Sequence, residues 1–122
     1  MKKVLVLVVA AMLGATAPAA FAEEPAVKTV AAVNQEKAAL SGKAVRVSGK
    51  VVKVNNGIMG RNFVHVRDGS GGEGTNNLIV TSKDTAAVGD EVVATGNVKL
   101  DRDFGMGYMY PLLVEDASIV KK

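Results

Sequence analysis

From residue 44 to residue 120 the chain alternates apolar and polar positions with a period near two, the signature of half-buried strands. Residues 44–54 carry Val45, Val47, Val51 and Val54 in a run interrupted by Gly49. A glycine inside a strand marks a bulge or a bend at a barrel corner, and the apolar phase shifts between Val47 and Val52. Residues 62–68 follow, with Val64 and Val66 on one side and Phe63, His65 and Arg67 on the other. A Gly-rich turn then leads to three more runs, at 77–81, 91–100 and 108–120, the last containing Pro111. Only residues 29–40 show helical spacing. Thr29 can cap, Val30, Val33 and Leu40 share a face, and Gly42 stops the element. Five short strands without an interleaved long helix predict an all-β, five-stranded barrel with a short N-terminal helix. The expected core is Val47, Val51, Val64, Val66, Ile79, Val92, Val98, Leu113 and Ile119.

The first residues follow different rules. Lys2 and Lys3 form a positive n-region, residues 4–13 an apolar stretch, and Ala20-Phe21-Ala22 an A-x-A cleavage site. Residues 1–22 are therefore expected to be a signal peptide cleaved after Ala22, giving a periplasmic or secreted protein. The apolar stretch is too short to span a bilayer of ~30 Å, so no membrane span is expected in the mature chain. A flexible leader is expected at 23–28 and a single domain at 29–122. With no cysteine, a lipidated anchor and disulfides are both excluded. Charge must be read after processing. Of 15 basic and 12 acidic residues, Lys2 and Lys3 leave and no acid does, so a net +3 becomes +1. A strongly cationic binder is excluded; a local patch built from Lys43, Arg46, Lys50, Lys53, Arg61 and Arg67 is not.

The succession VSGKVVKV, NFVHVRDGSG, NLIVTS, VGDEVVATGNV and LLVEDASI resembles OB-fold modules of the anticodon-binding type. It is similar also to small exported bacterial OB-fold proteins described only as nucleic-acid-binding or of unknown function. The resemblance covers residues 40–119 and lies in the order of the motifs. A long helix between the third and fourth strands, usual in that fold, is missing.

In OB-folds, ligands bind around strands two and three and the loops joining strands one–two and four–five. By that resemblance the ligand face comprises Met59, Arg61, Phe63, His65, Arg67, Phe104 and Tyr108, with Met106, Met109 and Tyr110 beside it. An oligonucleotide or other polyanion would stack on aromatics and track its phosphates along cations. The resemblance makes Phe63 the stacking residue and Arg67 a base or phosphate contact; equally, Phe63 packs beneath a loop. A second expectation is soft-metal binding. Met59, His65, Met106 and Met109 offer thioether and imidazole, the ligands of Cu(I). Periplasmic OB-fold copper-binding proteins resemble this chain in size, compartment and Met/His content, but it offers Phe63 where they cap the metal with Trp, and its spacing differs. Against a metal, Met106 and Met109 suit a loop as adaptable hydrophobes. An envelope protein docking on the same surface is a third class of partner. Catalysis has little support: there is no cysteine, and no base accompanies Ser41, Ser48, Ser70 or Ser82. Asp101-Arg102-Asp103 reads as a solvated turn, and the loop at 68–77 offers Ca2+ an incomplete alternation of oxygen ligands. A non-enzyme is expected.

Overall fold

The computed structural model describes residues 24–105 and 107–122. Strand β1 (Ala26–Val27) precedes two short helices, α1 (Val30–Gln35) and α2 (Lys37–Leu40). Five strands follow: β2 (Ala44–Ile58), β3 (Arg61–Arg67), β4 (Leu78–Ser82), β5 (Glu91–Asp103) and β6 (Met109–Lys121). They are hydrogen-bonded in the order β1-β2-β3-β4-β6-β5, and β5 returns to β2, closing a ring of five. Within the ring every pairing is antiparallel except β4 with β6. This is the all-β OB-fold barrel that the strand order predicts.

Closure depends on one long strand serving two neighbours. The first half of β2, from Ala44 to Lys50, pairs with β5, and the second, from Lys50 to Ile58, with β3. Lys50 is the pivot, opposite Glu91 on one side and Arg67 on the other. At Gly49 the strands come too close for a side chain: a Cβ there would lie 2.5 Å from Val66 Cγ1 and 2.8 Å from the Arg67 carbonyl oxygen. A bulge between Val51 and Lys53 then resets the phase, so Val51 and Val54 both face inward while Val52 is exposed.

The barrel is filled chiefly by valine, with Val45, Val47, Val51, Val64, Val66, Val80, Val92, Val98 and Val114 in one cluster. Three of the expected core positions are placed differently. Leu78 and Val80 pair with Val66 and Val64 and share their inward face, which sends Ile79 outward beside His65. In β6 the register against β5 shifts by one residue: Asn97 opposes Glu115 but Thr95 opposes Ser118. Asp116, at φ 54, sits in that bulge. The extra residue puts Val114 and Ala117 in the core and leaves Leu113 buried outside the core cluster, with Ile119 at its margin.

The expected single helix at 30–40 is divided at Glu36 (φ −104, ψ 16). Thr29 caps α1 as predicted, accepting from the Ala32 N–H at 3.0 Å. Val30, Val33 and Leu40 join the barrel core. Two hydrogen bonds from the loop after β3 pin the start of α1: Asp68 Oδ2 accepts from Val30 N–H and Ser70 Oγ from Ala31 N–H, at 3.0 and 2.9 Å. Asn34 donates to the Thr75 and Asn77 carbonyls. The N-terminal helices thus supply the packing that a helix between β4 and β5 would otherwise give. Part of the expected leader is ordered too: β1 pairs in parallel with Val45 and Arg46, and Lys28 bonds Glu36 at 2.8 Å. Residues 1–22 lie outside the described residues. Among the described residues no helix is long and apolar enough to cross a membrane.

Candidate functional site

Strand β3 sends Val64 and Val66 into the core and presents Arg61, Phe63, His65 and Arg67 on its other face, as period-two alternation requires. Each residue of that row meets a different environment.

Phe63 is 1% exposed. The β5–β6 hairpin is longer than its sequence pattern predicts, with ladder pairs as far as Arg102–Tyr110 and Asp103–Met109. It brings Phe104 and Tyr110 onto Phe63, with ring centroids 5.7 and 5.3 Å away, and the two covering rings are 5.9 Å apart. The stacking role implied for Phe63 is therefore closed to it. Its position is filled by the protein's own aromatics, and the cover comes from the end of the β5–β6 hairpin.

Above this triad lies an ionic knot. Glu115, with a side chain only 6% exposed, accepts from Arg61 Nη1 at 3.1 Å and from Arg102 Nε at 3.2 Å. The same guanidinium carbons stand 5.0 and 4.3 Å from the Phe104 ring centroid. A carboxylate this enclosed is tolerable because two charge-assisted hydrogen bonds compensate its lost hydration. Each arginine thereby gains a fixed orientation from both a carboxylate and a ring face. Glu115 and Arg102 were missed as site residues; the available signal was a lone glutamate inside the apolar run LLVEDASI.

His65 is half-buried, with Nδ1 3.4 Å from Asn77 Nδ2. Burial first, and then the charge of Lys53 opposite, hold its pKa below the usual 6.5, so the ring is neutral at pH 7. Arg67 is exposed, opposite Lys50. Lys50 and Lys53 are exposed as well, so the two outward-facing rungs on either side of the inward Val51–Val66 pair carry Lys50, Arg67 and Lys53 beside His65. None of these three cations joins an ion pair among the described residues.

Of the candidate sulfur ligands, Met59 and Met109 are among the described residues. Met59 occupies the β2–β3 turn at φ 52 and is 42% exposed. His65 lies four residues along β3 from Arg61, about 13 Å at ~3.3 Å per residue, so Met59 and His65 do not converge. Met109 is exposed on the β5–β6 hairpin, Tyr108 beside it is 46% exposed, and Met106 lies outside the described residues. Among the described residues no three His, Asp or Glu side chains are grouped to hold a metal. Two open clefts flank the row. One, of about 440 Å3, lies where β2 bends beside Arg67; the other, of about 410 Å3, lies beside Arg61.

No protein-family model matches the chain, and no curated protein does. Solved structures do. One described as an aspartyl-tRNA synthetase from Leishmania major Friedlin superposes with a TM-score of 0.56 at 13% identity, over 92% of this chain and 22% of that one. The asparaginyl-tRNA synthetase of Entamoeba histolytica, solved with asparaginyl-adenylate, gives 0.51 at 16% identity, over 81% and 24%. The likeness is one of fold. The chain spans less than a quarter of the length of either synthetase.

Proposed function

We propose that this chain is a non-catalytic OB-fold module, exported after cleavage at Ala22, that binds single-stranded nucleic acid or a similar polyanion along the outer face of β2 and β3. The observation that carries the reading is the set of exposed cations Lys50, Arg67 and Lys53, in no ion pair among the described residues, on the two outward-facing rungs that flank the Val51–Val66 pair. It is supported by the sequence resemblance to anticodon-binding modules and by the structural likeness to part of two tRNA synthetases. Because Phe63 is covered, the binding mode rests on phosphate contacts more than on stacking. Exposed Tyr108 is the aromatic left to meet a base, and neutral His65 can exchange hydrogen bonds at the centre of the face. With a mature charge of +1, attraction is local to this set and falls off over a Debye length of ~8–10 Å in ordinary salt.

Fluorescence anisotropy with short single-stranded DNA and RNA tests this. Three phosphate contacts predict a log–log salt slope of about −2, or roughly 15-fold weaker binding between 50 and 200 mM salt. Lys53→Gln with Arg67→Gln should flatten that slope. Absence of binding at 50 mM salt, or binding indifferent to salt, refutes the proposal. Anaerobic Cu(I) binding that is lost only when Met59 and His65 are replaced together would put metal handling in its place. The export element has its own measurement: mass spectrometry of the native protein should give an N-terminus at Glu23, and an intact Met1 would overturn it.

A further inference from the structure

The cleft at the bend of β2 has a different character from the rest of the molecule. Its walls carry Lys50 from the pivot, Arg67 from the end of β3 and Lys122, against two acids, Asp68 and Glu91. The acids are not equivalent. Asp68 is committed elsewhere: Oδ2 accepts from Val30 N–H, and Oδ1 from the N–H and hydroxyl of Ser70. These neutral donors orient the carboxylate towards α1 and the loop after β3 and leave it charged. Glu91 is exposed and takes part in no ion pair among the described residues. The three basic side chains are likewise in no ion pair among them. A cleft that sets three cations outside any such ion pair against two carboxylates, around about 440 Å3, keeps an excess of positive charge where an anion can enter. The cleft beside Arg61 offers no such imbalance, since Arg61 and Lys83 there face Asp84 and Asp116.

Gly69, at φ +86, is exposed and has nothing within 4 Å of where a Cβ would stand, whereas Gly49 is packed against Val66 and the Arg67 carbonyl. A compact ligand can therefore reach the backbone at Gly69 as well as the basic groups. The β2–β3 ladder ends here, at Lys50 opposite Arg67, and the chain after Arg67 turns away towards α1.

We infer that this cleft is a binding site for a phosphate-type dianion, either the terminal phosphomonoester of a strand lying on the β2–β3 face or free phosphate. The inference adds an end-recognising site to the proposed strand face and stands without it. A phosphomonoester carries up to twice the charge of an internal phosphodiester, and arginine can meet it with two parallel hydrogen bonds.

The test uses the purified protein and two kinds of probe. In 15N-labelled protein, inorganic phosphate at millimolar concentration should shift the Gly49 and Gly69 amides saturably, while chloride at equal ionic strength should not. Oligonucleotides with a terminal phosphate should bind about fivefold more tightly than the same sequences ending in hydroxyl, the size of several partly exposed charge contacts together. Lys50→Gln with Arg67→Gln should abolish both effects. Glu91→Gln should strengthen phosphate binding about two- to threefold, a gain that a misfolded variant would not give. Saturable shifts without any oligonucleotide binding support a free-phosphate site and remove the strand face. Oligonucleotides that bind equally with either terminus, together with amides indifferent to phosphate, overturn the inference while leaving the strand face standing. Unchanged phosphate affinity in Glu91→Gln and in the double variant overturns it as well.

Discussion

Replacing Phe63 with alanine separates the two roles that a phenylalanine on this face can play. The side chain is 1% exposed and in ring contact with Phe104 and Tyr110. Truncating a buried phenylalanine costs about 3–5 kcal/mol, through lost transfer energy and the cavity left behind. The ring contacts place this variant in the upper part of that range, because an aromatic pair such as the edge-to-face Phe63–Phe104 contributes about 0.5–1.5 kcal/mol beyond area. Collapse would have to draw in the β5–β6 hairpin, whose residues Phe104 and Tyr110 are themselves only half-buried. In a domain of this size each kcal/mol moves the melting temperature by about 4–8 °C, so the midpoint should fall by roughly 12–40 °C. Calorimetry of Phe63→Ala beside Tyr108→Ala provides the comparison, since exposed Tyr108 should change the midpoint by no more than a few degrees. Near-ultraviolet circular dichroism should lose aromatic signal in the Phe63 variant well below its midpoint. A Phe63→Ala protein that melts within about 4 °C of the parent, but no longer binds oligonucleotide, would refute the reasoning. Such a result would mean that the hairpin stands away from Phe63 in solution and that the ring is a ligand contact after all.

Gly49→Ala should cost about 1–3 kcal/mol, because the new methyl meets the Arg67 carbonyl as well as a movable valine; urea titration measures it, and a neutral result would show that the β2 bend relaxes freely. Acid should act in two steps. His65 is held below 6.5 in the folded protein, so the unfolded chain protonates first and stability falls as pH drops below about 6.5, down to the folded-state pKa. Asp68 acts at lower pH: burial raises its pKa, but the hydrogen bonds from Ser70 and Val30 outweigh it, and stability is lost as pH falls below 3.8. Urea midpoints measured from about pH 7.5 to about pH 5 should therefore decline in the parent and stay nearly flat in His65→Gln; parallel curves would sink the assignment.

Much of the barrel was legible because strand order, the glycine at the first bend and the helix cap are local signals. Val47, Val51, Val64, Val66, Val92 and Val98 follow directly from alternation. The expectation for Ile79 fails because nothing local in the run 77–81 says which face turns inward, and the other errors arise where a bulge changes phase without a glycine to announce it. Asp116 is the clearest instance, since the residue inserted there puts Leu113 and Ile119 on different faces although their spacing suggests one. The site was legible as a set of residues but not as a set of contacts. Arg61, Arg102 and Glu115 are separated by up to 54 positions, and no local pattern tells that they meet. The cover over Phe63 was hidden for the same reason, because it depends on how far the β5–β6 ladder runs before its loop turns back.

The placement of the helices ahead of the barrel has a consequence for the order in which the chain can acquire structure during synthesis. Helices of six and four residues are too short to persist alone in water. Their tethers to Asp68, Ser70, Thr75 and Asn77 lie 38 to 43 residues downstream. The front of the chain therefore leaves the ribosome well before anything exists for it to pack against, and it remains unstructured until β3 and the loop behind it arrive. Closure waits longer still, because β2 must meet β5, with Ala44 opposite Asn97. Contacts this distant in sequence make for slow, late and cooperative folding. A nascent chain of this kind lacks its native packing over most of its length until nearly all of it has been made.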